Sequence, residues 1–198
     1  MNITAIKKQV KNPDRYSIFI DSKYSFSLSS QALLETKLIT GQELSSSEVK
    51  KYKEQASDDK IYNACLNYIA RRMRSKYEIE SYLRRKNASP TLLDNTLNKL
   101  SEKGIIDDKK FAQSYVNDRN LLKPTSTRKL ILELRSKKIA EDIIHQAIDS
   151  NNLEQENLKR VVEQKRRQNK YQDNTKLMQY LARQGYNYGD IKDALADN

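Results

Sequence analysis

The chain is predicted to be mainly α, with tandem three-helix repeats forming an elongated, curved array behind a small N-terminal module of β-meander and short helices. Three observations lead there. Apolar residues recur at three- and four-residue spacing from about residue 60 onward. A helix-ending pattern returns three times. Only residues 3 to 28 carry runs of β type. With 37% of its residues hydrophobic and 32% charged, the chain has enough apolar material for small bundles but too little for a thick multilayer core.

At the front, Ile3-Thr4-Ala5-Ile6, Tyr16-Ser17-Ile18-Phe19-Ile20 and Tyr24-Ser25-Phe26-Ser27-Leu28 are rich in β-branched and aromatic residues. Asn12-Pro13-Asp14 and Asp21-Ser22-Lys23 separate them with turn formers, so an antiparallel meander is expected. Three short strands need a cover. A short helix after Ser29-Ser30 offers one through Ala32, Leu33, Leu34 and Leu38. Residues 41 to 47 form a polar break, a second helix runs from about Ser46 to Gln55, and Ala56-Ser57-Asp58-Asp59 reads as a linker.

The repeats begin after it. Tyr82-Leu83-Arg84-Arg85-Lys86, Glu133-Leu134-Arg135-Ser136-Lys137 and Tyr180-Leu181-Ala182-Arg183-Gln184 each end a helix in the same way. Leu83, Leu134 and Leu181 lie 51 and 47 residues apart. Setting them in register also aligns Leu93 with Ile144 and Ile191, and Leu97 with Ile148 and Leu195. These positions are read as core. Ser75 and Glu78 form a capping box, Ser89-Pro90 and Pro124-Thr125 open helices, and Gly104 closes one with a left-handed residue. Asp107 or Asp108 caps the next helix, whose apolar face is Phe111, Tyr115 and Val116, and Asp173 and Asn187 cap two others. Ala140, where Ser89 stands one unit earlier, is a poor cap. The expected division is a β-rich module over 1–58 and repeats over 59–106, 107–151 and 152–198.

Lysine and arginine number 37 against 26 acids, a formal charge of +11. That favours an anionic partner: nucleic acid, an anionic membrane surface or an acidic protein groove, with a merely solvated basic surface as the alternative. The cations are distributed by repeat. Arg71, Arg72, Arg74, Lys76, Arg84, Arg85 and Lys86 belong to the first unit. Arg119, Arg128, Lys129, Arg135, Lys137 and Lys138 belong to the second, and Lys159, Arg160, Lys165, Arg166, Arg167, Lys170 and Arg183 to the third. Stacked units would line these along one face at a regular pitch, as a helical phosphate backbone or a filament groove requires. Cations near helix C-termini also complement helix dipoles, which is the competing explanation of any one of them. Twelve tyrosines against three phenylalanines suit core edges with wet hydroxyls, and some could stack on bases.

Residues for catalysis are scarce. There is one histidine, His145, and no Gly-rich phosphate loop, nucleophile elbow or His-Glu-x-x-His helix, so no catalytic or metal-binding residue is assigned and no cofactor is expected. Asp58-Asp59 and Asp107-Asp108 could hold magnesium, but both pairs precede expected helices, where acidic caps are routine. A lone Cys65 excludes an intramolecular disulfide and a cysteine zinc site. No apolar run is long enough to span a bilayer and the start lacks the order of a secretory signal, so a cytoplasmic protein without a membrane partner is expected; a monomer is expected as well.

The stretch from Ala64 to Ser75 (Ala-Cys-Leu-Asn-Tyr-Ile-Ala-Arg-Arg-Met-Arg-Ser), with Glu78 and Leu83, resembles the opening signature of the RecX family of RecA regulators. Gly104-Ile105-Ile106-Asp107-Asp108-Lys109-Lys110-Phe111-Ala112, with Tyr115 and Arg119, is similar to its second block, and Gly185-Tyr186 before Ile191 to its third. The resemblance covers residues 60 to 196, and the β-rich front resembles an extension found in some members. Where the family usually has glycine after the middle helix, this chain has Asn87 and Lys138. The resemblance implies a modulator of the recombinase RecA, acting in DNA repair, recombination and the SOS response. Such a protein lodges in the groove of the RecA filament on single- or double-stranded DNA. There it hinders extension, ATP hydrolysis, strand exchange and coprotease function. Two alternatives stand beside it: a stand-alone basic DNA-binding helical protein, and a nuclease using the Asp pairs.

Overall fold

The structure, a computed structural model, describes residues 1–196. It divides into two compact units: residues 1–73 with 79–100, and residues 74–78 with those from 101 onward.

The first unit opens with β1 (Ile3–Lys8), β2 (Arg15–Ile20) and β3 (Lys23–Ser29), an antiparallel meander in that order. Asp21 and Ser22 join β2 to β3 with φ of 46° and 65°. Two successive positive φ values match the right-handed strand twist, which is why short polar residues occupy them. Alternation puts Ile18, Ile20, Phe26 and Leu28 on the buried face with Ile3. The helix α1 (Ser30–Thr36), capped by Ser29, covers it through Ala32 and Leu33, helped by Leu38, Leu44 and Val49. Leu34, expected in this cover, is 77% exposed. Successive helical residues turn by about 100°, so with Ala32 and Leu33 facing the sheet Leu34 lies about 200° round from Ala32, on the outer side.

The expected linker does not exist. α2 runs unbroken over Ser46–Ala70, started by a capping box of Ser45 and Glu48. Ala56 and Asp59 sit in its interior, and the boundary expected between 58 and 59 falls within it. Asp58 and Asp59 are therefore not caps. Asp59 accepts from the backbone N–H of Ser29 at 2.9 Å, from the Ser29 hydroxyl, from Arg15 at 3.0 Å and from Asn63 at 2.8 Å. A carboxylate that local propensity would place in a turn is held mid-helix by partners on the sheet.

The remaining elements follow the repeat pattern: α3 (Lys76–Arg85), α4 (Pro90–Glu102), α5 (Asp108–Leu122), α6 (Thr127–Ser136), α7 (Glu141–Asp149), α8 (Glu154–Arg166), a 3-10 turn (Asn169–Tyr171), α9 (Asn174–Arg183) and α10 (Tyr188–Ala196). Leu83, Leu134 and Leu181 are fully buried, and Leu93, Ile144 and Ile191 are buried beside their partners. Separate cores form around α5–α7 and around α8–α10. Ser89, Asp107, Asp173 and Asn187 cap as expected, while Ala140 supplies no side-chain cap. Ser126, two residues beyond Pro124, is the cap of α6.

Each middle helix ends on a left-handed residue: Asn87 and Lys138 at φ 57°, Gly185 at φ 95°. The sequence departs from glycine at the first two positions, yet the backbone keeps the turn. A lysine there is strained by its Cβ. Lys138→Gly is therefore expected to raise stability by roughly 0.5–1 kcal/mol. Gly185→Ala should lower it by about 2 kcal/mol, since it combines the same strain with a crowded Cβ. That Cβ would lie 2.9 Å from Ser126 Oγ. Urea midpoints of the two variants moving the same way would refute this account of the turn.

Candidate functional site

One arrangement of side chains occurs twice in the second unit. Ser75 caps α3, exchanging hydrogen bonds with Glu78 in the expected capping box at 3.2 Å each. Its hydroxyl also donates to the carbonyl of Lys137, at the end of α6, at 3.2 Å. The Lys76 N–H is accepted by Asp108, at the start of α5, at 2.8 Å. Fifty-one residues later, Ser126 caps α6 and donates to the carbonyl of Gln184, at the end of α9, at 2.6 Å. The Thr127 N–H is accepted by Glu154, at the start of α8. Lys137 and Gln184 are equivalent in the repeat register. Orphan donors at the start of one middle helix and orphan carbonyls at the end of the next are thus satisfied by the same device. Asp107 and Asp108 divide the labour. Backbone donation from Lys110 holds the Asp107 carboxyl below its usual range, whereas burial pushes that of Asp108 up, against the pull of the Lys76 N–H and charge.

Many of the expected interface cations have partners within the fold. Arg84 pairs with Glu80, and Arg135 grips Glu141 through two bonds of 2.7 and 2.9 Å. Arg119 meets Glu133 at 3.0 Å and the Tyr115 hydroxyl at 2.8 Å. Lys137 meets Glu78 at 3.2 Å and lies over the rings of Phe111 and Tyr115. Lys129 donates to the Gln184 side chain, Arg160 to the last carbonyls of α5, and Arg166 to carbonyls of Tyr171 and Gln172. Arg72 donates to the Met73 carbonyl. Arg74 is half-buried. Arg71, Lys76, Arg85, Arg128, Lys138, Lys159, Arg167 and Arg183 are exposed. Lys86 and Lys170 are exposed too, over the rings of Tyr82 and Tyr171. Several of the cations that the sequence distributes by repeat are therefore already engaged within the fold.

The tyrosines serve the same end. Tyr68 stacks on Tyr82 at 4.2 Å between centroids, and the Tyr82 hydroxyl donates to the Ala64 carbonyl. Lys99 lies over Tyr62, and Lys165 over both Tyr171 and Tyr180. Ring faces of Tyr62, Tyr68, Tyr82, Tyr171 and Tyr180 are thus engaged by neighbouring cations or by one another, while Tyr77 is exposed. Cys65 is buried, and that burial pushes its thiol up to about 11, as befits packing rather than reactivity. His145 is exposed, one turn from Glu141.

Each unit holds a cavity among the described residues. That of the first unit, about 770 Å³, is lined by Asp58, Asp59, Tyr62, Asn63 and Lys99 among others. Burial, then the nearby Glu54, pushes the Asp58 carboxyl up, while Asp59 has its oxygens engaged by Arg15, Ser29 and Asn63. The adjacent acids do not act as a pair. No cluster of three or more potential metal ligands occurs among the described residues. The second cavity, about 210 Å³ in the second unit, includes Lys123 and Tyr186. Sequence reasoning passed over Lys123 and met Tyr186 only in the third family block, for their spacing in the chain carries no signal of a shared site. Among the described residues, no helix is long and apolar enough to cross a membrane.

Comparison with known proteins agrees with the repeats. Residues 1–45 match the model of the regulatory protein RecX N-terminal domain, and residues 62–100, 107–148 and 153–195 match the first, second and third three-helix domains of RecX. A regulatory protein RecX from Bacillus subtilis is 30% identical over 98% of this chain and 75% of its own length. One from Listeria welshimeri is 35% identical over 78% of this chain, and the match spans 59% of that relative. Among solved structures, a regulatory protein RecX superposes with a TM-score of 0.70 at 26% identity, covering 97% of this chain and 98% of the other. RecX from Lactobacillus salivarius superposes with a TM-score of 0.61 at 25% identity, covering 71% and 96%. With all four domain models in order along the sequence and a relative 30% identical over 98% of this chain, the chain belongs to the RecX family of regulatory proteins.

Proposed function

We propose that this chain regulates the recombinase RecA by binding the RecA–DNA filament and hindering its extension, ATP hydrolysis, strand exchange and coprotease activity. In this reading it acts as a monomer in the cytoplasm, without a cofactor and without catalysis of its own. Family membership supports the partner. The observation that carries the reading physically is that the ends of successive middle helices keep exposed cations. Arg85 ends α3 and Lys86 follows it, Lys138 follows α6 and Arg183 ends α9, while carbonyls at the ends of α6 and α9 are taken up by the Ser75 and Ser126 hydroxyls. A repeated basic feature suits a partner with a repeated acidic or phosphate surface.

At moderate salt, substoichiometric chain is expected to lower the DNA-dependent ATPase of the cognate recombinase. Charge reversal at Arg183 should weaken that inhibition several-fold without moving the melting temperature. An unchanged ATPase would end this reading. Tight, sequence-preferring DNA binding in the absence of the recombinase would instead favour a stand-alone DNA-binding protein.

A further inference from the structure

The cavity of about 210 Å³ in the second unit is lined by Lys123, Lys129, Lys165, Gln184, Tyr180 and Tyr186, among others. No carboxylate among the described residues lines it. Among the described residues, none of the three lysines forms an ion pair. Two are held without being neutralised: Lys129 donates to Gln184 Oε1 at 2.8 Å, and Lys165 lies 4.8 Å from the Tyr180 ring centroid and 5.6 Å from that of Tyr171. Three lysines among the lining residues of one concavity, with Lys123 exposed, give it a positive potential that favours an anion.

Tyr186 supplies the second, independent observation. The residue is 5% exposed, and its hydroxyl is buried with no hydrogen-bond partner among the described residues. Buried hydroxyls nearly always find one, so an orphan in a cavity wall points to an absent acceptor. Burial first, then the charge of Glu154, pushes its ionisation up, so the group stays protonated and can donate. Glu154 itself is turned to Thr127, whose N–H and hydroxyl both donate to its carboxylate, and it does not line the cavity.

We propose that this cavity binds a phosphate group, with Lys123, Lys129 and Lys165 providing charge and the Tyr186 hydroxyl donating to one oxygen. A tetrahedral oxyanion offers acceptors in several directions, matching donors carried on α6, on α8 and on the segments after α5 and α9. A planar carboxylate or a halide cannot engage all of them. The phosphate could come from inorganic phosphate or from the phosphodiester backbone of nucleic acid, and the two sources are separable by experiment.

The full chain, without any recombinase, is melted in sodium phosphate and in sodium chloride and sodium acetate of equal ionic strength. Phosphate is expected to raise the melting temperature by about 2–5 °C over chloride. Lys165→Gln and Tyr186→Phe should each abolish the rise. In chloride, Tyr186→Phe should melt no lower than the parent, since it removes only an unpaired hydroxyl. A short single-stranded oligonucleotide lacking terminal phosphate assigns the source. If it displaces phosphate and binds Lys165→Gln and Tyr186→Phe several-fold more weakly, the ligand is a backbone phosphodiester. If neither substitution affects its binding while the phosphate effect stands, the ligand is free phosphate. The proposal is overturned if phosphate protects no better than chloride, if acetate protects equally, or if Tyr186→Phe retains the full response. Because no recombinase is present, that failure is distinct from a failure of filament regulation.

Discussion

Asp59→Ala is expected to destabilise the first unit by about 3–5 kcal/mol, the loss typical when one member of a buried ion pair is removed and its partner is left behind. The side chains of Arg15 and Asp59 are only 12% and 9% exposed, and they meet at 3.0 Å. Arg15 would keep its bonds to Ser27 but lose its counter-charge. The Ser29 N–H, at the entrance to α1, would lose its acceptor as well. One carboxylate thus ties β2, β3 and the start of α1 to the middle of α2. Chemical denaturation should show a lower midpoint, while Asp58→Ala, which removes no ion pair, should stay near the parent. Replacing both members of the pair by apolar residues of similar size should cost less than Asp59→Ala alone, because no orphaned charge remains. A loss under about 1 kcal/mol for Asp59→Ala would mean that water reaches the pair.

Leu134→Ala should cost about 2–5 kcal/mol through lost burial and the cavity left behind. Leu134 has no exposed surface and belongs to the core formed with Phe111, Leu130, Ile139 and Ile144. The residue also sits where α6 turns into its left-handed end, since its carbonyl accepts from the N–H groups of Lys137 and Ile139 at 3.0 and 3.3 Å. Leu132, two residues away and 55% exposed, is the internal comparison. Leu132→Ala should change the unfolding free energy by no more than about 0.5 kcal/mol. Equal effects at the two positions would show that the repeat register misplaces the core.

The repeat register was legible in the chain because buried leucines and isoleucines must return at helical spacing whatever surrounds them. Caps were legible for a similar reason: Ser75, Ser89, Asp107 and Asp173 satisfy donors within three residues of themselves, so their role is local. Asp59 was not legible as a helix residue. Its composition signals a turn, and what overrides that signal lies 30 and 44 residues away in Ser29 and Arg15. Lys138 was uncertain because a lysine disfavours the left-handed region. The backbone adopts it because Ile139 must return to the core behind the turn.

For the candidate site the division is sharper. Composition reveals a basic chain, and the repeats distribute that charge, but neither says which cations are already paired. Arg119, Arg135 and Lys137 look like Arg85 and Arg183 in the sequence, yet the first three face Glu133, Glu141 and Glu78. By itself, the sequence determined the helical repeats, their caps and their buried faces, since periodicity and capping act over a few residues. Tertiary structure alone decided the joints at Ser75 and Ser126, the continuity of α2, and the meeting of Lys123, Lys129 and Lys165 with Tyr186. Those depend on side chains tens of residues apart being brought within hydrogen-bonding and Coulombic reach, and no local pattern encodes that distance.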